Sequence, residues 1–427
     1  MFRQYFKQVI YQLRENPLVS WISIAGTALA IAVVLVLVLV FQINAAGFAP
    51  ESNRGRFLYV WGTEVAPKND GPGGRNRGAM SAEVVRECFY PLKTPEAVTA
   101  YTRGTLPVSL PGKRLFREYE VRYTDANYWK FFDHRFVEGG PFTEADFQSA
   151  IPAVVLSESL ARRLFGSERA TGREVVLDYV TYTVRGVVRN VPNPMMVSYF
   201  DVCIPYSCDK AKLVSSISMG ENMVGSLNVL MLARSAADFD AIRAELDERT
   251  RRYNATKVDY EVSFPAGALS QMDSAMGSNG FRKVDWRSFM AESGAVFLFL
   301  LLVPALNLTG VVQSSVQKRK EEIGVRKAFG ATGRNLLTQV LMENLVLTCI
   351  GGVIGIGLSI LLLMAGKSYL LAGAEYGDIA LTFPMLIRPG LFVATLLAVL
   401  VLNLLSAGIP AWLTMRQPIV EAIKGGE

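Results

Sequence analysis

Histidine is nearly missing from this chain: His134 is the only one in 427 residues. One imidazole cannot build a His-based metal centre, and no Ser/His/Asp or Cys/His set can be assembled around it. Cysteine is scarce too, at four, with no zinc-finger spacing. A phosphate-binding loop is also lacking. Gly366-Lys367-Ser368 looks like the end of one, but that pattern requires glycine at position 361, where Leu361 stands inside an apolar run. ATP binding by such a loop is therefore excluded.

Charge is the remaining shortage. Only 19% of the residues are charged and 51% are hydrophobic, so the chain departs from soluble composition in the membrane direction. No Asp, Glu, Lys or Arg occurs between Glu15 and Glu51, Glu292 and Lys318, Glu343 and Lys367, or Arg388 and Arg416. Each gap holds an apolar run long enough for a helix of about 20 residues, the length a hydrocarbon core requires. These gaps predict four spans, near 18–41, 293–312, 345–364 and 391–413. The first run is too long for a signal-peptide core and no small-x-small cleavage site follows, so it reads as an uncleaved anchor. Pro304, Asn307 and Asn403 read as kinks or interhelical hydrogen-bonding groups. The absence of charge within the spans argues against an ion-coupled carrier or a passive channel.

The charges that are present orient the chain. Arg3, Lys7 and Arg14 against Glu15 give the N-terminus a net +2. Lys318, Arg319, Lys320, Arg326, Lys327 and Arg334 against Glu321 and Glu322 give 314–335 a net +4. Residues 414–427 are neutral, so these three segments together carry the whole formal charge of +6. By the positive-inside rule all three face the cytoplasm, as do both termini. The basic pI is thus a topology signal, and no basic–aromatic platform suggests nucleic acid.

The expected fold is an α-helical membrane protein with four transmembrane helices and a large α/β (α+β) extracytoplasmic domain inserted between helices 1 and 2. Residues 1–17 form a basic amphipathic helix on the lipid surface, with Phe2, Phe6, Val9 and Leu13 on one face. Helix 1 covers 18–43 and the outside domain 44–291. Residues 292–427 hold the remaining spans, a cytoplasmic loop at 314–335 and a tail at 414–427.

In the outside domain, 68–79 is Gly-rich and polar and reads as a flexible loop. Ala153–Leu156 reads as a buried strand, Ser157 as an N-cap, Glu158–Phe165 as a helix and Gly166 as its stop. Residues 173–177 and 182–188 predict a hairpin. Further strands are expected at 228–232 and 258–264 and a helix at 237–253, with two lobes meeting near 210–225. Cys88, Cys203 and Cys208 lie outside, where Cys203–Cys208 is a candidate disulfide and three free thiols are the alternative. Cys349 reads as a buried residue of the third span. Gly351, Gly355 and Ser359, and likewise Gly26 and Ala30, form small-residue faces that let helices approach closely. They serve either packing within one subunit or a dimer seam.

The densest information lies in the cytoplasmic loop. Lys318-Arg-Lys-Glu-Glu322 suits a helix surface, Ile323, Val325, Ala328 and Phe329 add apolar contacts, and Gly330 and Gly333 bracket a turn. A loop that only fixed topology would not need this apolar set; the mixture suits docking into a protein groove. Here the chain resembles a family. Glu322-Ile323-Gly324, Arg326-Lys327-Ala328 and Gly330-Ala331 are similar to the cytoplasmic loop of FtsX/MacB-type ABC transporter permeases. The stretches 123–132, 137–140, 154–166 and 184–188, with Gly172, resemble the MacB-like periplasmic core domain, and 415–424 resembles the family's closing segment.

The resemblance implies a membrane subunit of the bacterial inner membrane, without ATPase motifs of its own, working as a homodimer or paired heterodimer. It implies a separate ABC ATPase that binds ATP and Mg and docks on Lys318, Glu322, Ile323, Gly324, Arg326, Lys327, Ala328, Phe329, Gly330 and Ala331. This chain itself would bind no cofactor and no metal. ATP-driven closure would then be transmitted through the spans to the outside domain, for export or extraction of a peptide, drug or lipoprotein, with a periplasmic adaptor as a possible partner. A regulator of an envelope hydrolase or sensor is the alternative function.

Overall fold

The computed structural model describes residues 17–68, 74–113, 116–191, 196–209, 222–276, 280–283, 285–296, 298–300, 333–371, 381, 383–387 and 389–415. It divides into two compact units. One holds the helices, up to Phe41 and from Trp286 onward apart from Ala372–Thr382; the other is built on Gln42–Asp285.

The first helix runs Pro17–Ala45, 29 residues and about 44 Å at the α-helical rise. Pro17 stands at its first position, where the missing N–H costs nothing. Ile24, Ala28, Ile31 and Leu35 fall on one buried face while Trp21, Ile22 and Leu29 point outward. Two further long helices are Gly333–Leu370 and Pro389–Met415. Their outward side chains, among them Val353, Leu361, Leu397 and Val401, are apolar and exposed, as a helix in hydrocarbon requires. Ile24–Ala45 and Leu345–Lys367 are long and apolar enough to cross a bilayer, and Pro389–Val401 is apolar over a shorter stretch. Of the expected second span, residues 301–312 lie outside the described residues.

The second unit is α/β. Its strands are β1 (Phe57–Val60), β2 (Thr63–Pro67), β3 (Asn76–Met80), β4 (Ala97–Ser109), β5 (Arg117–Thr124), β6 (Phe136–Gly139) and β7 (Ala153–Ser157). They continue with β8 (Glu174–Leu177), β9 (Val180–Val188), β10 (Val202–Pro205), β11 (Val224–Gly225), β12 (Asn228–Leu232), β13 (Tyr260–Ser263) and β14 (Leu269–Ser270). Ten strands form one sheet in the order β14-β1-β12-β4-β5-β10-β7-β9-β6, with β8 bridging β4 and β9. That bridge closes a circuit: β4, β5, β10, β7, β9 and β8 pair in a ring. Closure removes exposed edges where an open sheet would invite aggregation. The smaller sheet is β11-β3-β2-β13.

Local sequence explains much of this. In β9, Tyr182 and Val184 are buried while Thr181, Thr183 and Arg185 face out, the period of a strand. Ser157 caps the Glu158–Phe165 helix by accepting from the Leu160 N–H, and Gly166 ends it in the left-handed conformation at φ 72°. The 228–232 strand stands where expected. The expected 237–253 helix runs Phe239–Ala255 after a short 3-10 turn, and the 258–264 strand is confined to Tyr260–Ser263.

Three expectations are corrected. The Gly-rich 68–79 segment is not all loop: Asn76–Met80 is a strand, in register Thr63↔Gly78, with Arg77 donating to Glu64. Its small, polar composition hid a strand that pairs with the preceding β2 on one side and with the distant β11 on the other. Residues 42–285 form one compact unit with two sheets rather than two lobes, because both sheets share one core through Val65, Met80, Val224 and Val262. Cys349 is exposed, not buried, since helical period turns it away from the face that holds Thr348 and Gly352.

Candidate functional site

The charged loop, with Lys318, Glu322, Ile323, Gly324, Arg326, Lys327, Ala328, Phe329, Gly330 and Ala331, lies outside the described residues. The helix after it begins at Gly333.

The small-residue face on that helix is described. Gly351, Gly352, Gly355, Ser359 and Leu363 are buried along one side, and the Ser359 hydroxyl donates to the Ile356 carbonyl at 2.7 Å. The helices meet there at close range. A Cβ on Gly351 would stand 3.1 Å from the Thr27 side chain, and one on Gly355 would stand 2.8 Å from the Ala28 carbonyl oxygen. A Cβ on Gly352 would meet Leu396 at 2.5 Å, so the third helix of this group packs there too. Gly26 and Ala30 are half-buried; it is Thr27, Ala28 and Ile31 that meet the glycines.

The outside domain carries two buried polar networks that its sequence did not reveal. The first surrounds Glu51 and Arg54, which are 1% and 5% exposed. The Arg54 guanidinium donates to Glu51 at 2.5 Å and to the carbonyls of Ile43 at 2.9 Å and Ala46 at 3.1 Å. Glu51 in turn accepts from the Ser198 amide at 2.9 Å and its hydroxyl at 2.7 Å. Residues 196–199 are also held from the sheet. Arg122 on β5 donates to the Met196 and Tyr199 carbonyls at 2.6 and 2.9 Å, and the Tyr128 hydroxyl donates to Val197 at 2.9 Å. The second network is centred on Asp125, which accepts from the hydroxyls of Tyr90 and Thr99 and the amides of Ala100 and Tyr128. Burial raises the Asp125 carboxyl above the usual range against those hydrogen bonds.

Sequence could have pointed to the first network. Glu51 is the first charge after an apolar run, and Arg54 follows it at i+3. Arg122 gives no such sign: it alternates with Glu118 and Glu120 along β5 as a solvent-facing charge would.

The cysteines do not pair. Cys88 and Cys203 are buried and free, and the Cys208 thiol donates to the Ile151 carbonyl at 3.2 Å. Burial pushes the Cys88 thiol up to about 12, leaving it inert at neutral pH. A groove of about 640 Å³ is lined by Tyr90, Asp125, Trp129, Phe142 and Glu144, among others. Among the described residues no three His, Cys, Asp or Glu side chains are grouped to hold a metal.

His134 sits in an aromatic cluster, stacked on Tyr128 at 5.9 Å and edge-on to Trp129 and Phe132. Among the described residues neither ring nitrogen has a hydrogen-bond partner. Burial lowers its pKa to about 4, against the opposing pull of the Glu51 and Asp133 carboxylates. The sign follows. The unfolded chain takes up this proton as pH falls through about 6.5, and the folded chain does so only near 4. Folding is therefore favoured above pH 6.5 and loses about 1–3 kcal/mol between pH 6.5 and 4. His134→Phe should flatten this part of the profile. Thermal midpoints of the full chain at pH 7.5 and 5 would show it, and an unchanged difference between the two would refute the assignment.

Residues 20–249 match the MacB-like periplasmic core domain, and residues 294–419 match the FtsX-like permease C-terminal domain. The uncharacterized ABC transporter permease YknZ of Bacillus subtilis is 26% identical over 220 residues, which is 52% of this chain and 51% of that protein. The pyoverdine export ATP-binding/permease protein PvdT of Pseudomonas aeruginosa is 28% identical over 275 residues, which is 63% of this chain and 37% of that one. The chain thus spans about half the length of the first relative and little over a third of the second. Among solved structures, the extracellular domain of YknZ is 19% identical with a TM-score of 0.34, covering 47% of this chain and 99% of that one. The periplasmic region of MacB from Actinobacillus actinomycetemcomitans is 16% identical with a TM-score of 0.32, covering 47% and 87%.

Proposed function

The chain belongs to the ABC transporter permease family with a MacB-like periplasmic core domain and an FtsX-like C-terminal domain, and from that premise we propose that it is the membrane subunit through which a separate ATPase does work outside the membrane. In this reading four helices cross the inner membrane, both termini and the 314–335 loop face the cytoplasm, and 44–291 forms the domain outside. The ATPase binds ATP and Mg and docks on Lys318–Ala331. Two copies of the chain pair, each with its ATPase, and closure of the ATPases shifts the spans and so the outside domain.

The observation that carries this reading is one of order. The MacB-like match takes in the first apolar helix and the domain after it, and the FtsX-like match at 294–419 follows, with the Glu322-Ile-Gly…Ala328-Phe-Gly-Ala331 core between two of its apolar runs. Spans without charge leave no polar path through the bilayer, which favours force transmission over conduction. The name of PvdT ties a related chain to export, which supports an exported cargo such as a peptide or drug, or an extracted lipoprotein, handed to a periplasmic adaptor.

Reconstitution tests it. The full chain in nanodiscs, mixed with a stand-alone ABC ATPase encoded beside it, should form a complex and raise ATP hydrolysis at least several-fold over the ATPase alone. Absence of both binding and stimulation would refute it.

A further inference from the structure

We propose that Glu51 and Arg54 are positioning residues: they clasp the outer end of the first membrane helix to residues 196–199 of the outside domain, and movement of the helix reaches the sheet through them. The coupling half of this proposal rests on the reading given above; the clasp itself does not.

A helix ends with carbonyls that have no partner in the helix. Here one buried guanidinium takes over that task. Arg54 donates to the carbonyls of Ile43, Asn44 and Ala46, and Gln271 donates to Asn44 at 2.6 Å. A cation at this end also complements the helix dipole. The last helical turn is thus closed by side chains of the compact unit to which Gln42–Ala45 itself belongs.

A cap alone would need no more than that. The remaining bonds run onward. The second edge of Arg54 is held by Glu51, and the other oxygen of Glu51 is held by both donors of Ser198, which is fully buried. Arg122 and Tyr128 grip the same 196–199 segment from β5 and the turn after it. Helix end, Arg54, Glu51, Ser198 and β5 therefore form one hydrogen-bonded chain. β5 lies in the closed circuit of strands, paired with β4 and β10. A displaced helix end cannot leave this chain without stranding a buried charge, so the contact transmits rather than slips. Ser52 and the Pro50 carbonyl, both bonded to Asp133, keep the connecting 50–54 segment from acting as a slack tether.

Amide exchange on the full chain in nanodiscs decides whether the clasp exists. Arg54→Met should speed exchange at residues 43–46 and 196–200 together by at least tenfold, while β5 and β9 stay protected. Unchanged exchange at either segment would overturn the clasp. Ser198→Ala removes the hydroxyl donor to Glu51 and keeps the backbone one, so it serves if Arg54→Met does not fold; about threefold faster exchange at both segments is expected, and no change counts against the clasp. The coupling half is read in the complex with the ATPase. The variant should hydrolyse ATP within twofold of wild type yet lose the MgATP-dependent change in exchange across 57–270. Retention of that change at wild-type size would overturn the coupling role. A wild-type complex that shows no response to MgATP would overturn the proposed function instead, with the exchange result at 43–46 and 196–200 still deciding the clasp.

Discussion

Glu322→Lys combined with Ile323→Asp should abolish ATPase stimulation while leaving the permease inserted and paired. Both positions lie in the core of the charged loop, one supplying a carboxylate and the other an apolar side chain. An apolar anchor seated in a partner's groove typically carries about 2 kcal/mol or more of binding, and an aspartate there would add the cost of an unpaired buried charge. Reversing the charge at 322 turns an attraction for a basic partner surface into a repulsion. Together these should weaken docking by at least about 30-fold. Topology should survive, because Glu322→Lys adds one lysine to the loop and Ile323→Asp removes no basic residue, so the positive-inside bias is kept. The measurement is ATP hydrolysis by the reconstituted complex, with oligomeric state of the permease as control. Full stimulation by the double variant would reject the docking assignment, and loss of the permease assembly would show that the loop serves folding instead.

The parts of this molecule that were legible in its sequence are those whose causes are local. The strand at 153–157, its Ser157 cap, the Glu158–Phe165 helix and the Gly166 stop lie within fourteen residues, and each signal concerns its neighbours. The apolar gaps work in the same way, since the length of hydrocarbon to be crossed is set by a run of consecutive residues. What was hidden depends on distant partners. The ring of strands is closed by Val108 and Ser109 meeting Leu177 and Val176, a pairing no window of sequence contains. Arg122 looks like a solvent charge in β5 and is buried only because 196–199 folds over it. The Gly-rich 76–80 segment completes its sheet only where Val224 and Gly225, far along the chain, pair with Met80 and Ala79. The expectation for the charged loop at 314–335 comes from a motif and its flanking apolar runs, a kind of signal that needs no long-range geometry.

The helix face shows how far such a local reading reaches. Gly355→Leu should be severely disruptive and Gly357→Leu should be tolerated, although the two glycines are two residues apart on one helix. Around Gly357 a new Cβ would find nothing within 4 Å. At Gly355 it would stand 2.8 Å from the Ala28 backbone oxygen and 3.0 Å from the Ile31 Cβ. Neither neighbour is the free end of a flexible side chain, so the helices themselves must separate. Helix pairs in lipid lack a hydrophobic drive to re-close, since hydrocarbon solvates an apolar side chain as well as a neighbouring helix does. Over-packing of this kind costs about 3 kcal/mol. Gly357→Leu instead exchanges the poorest non-proline helix former for a good one, and its effect should lie within about 1 kcal/mol of neutral or be stabilising. Thermal inactivation midpoints of the two variants, purified as full chains in the same detergent, separate them. A midpoint for Gly355→Leu equal to that of Gly357→Leu would show that close approach to the first helix does not hold this bundle together. The predicted gap would show that it does, and that the G-x-x-x-G face is occupied within the chain before any second copy arrives.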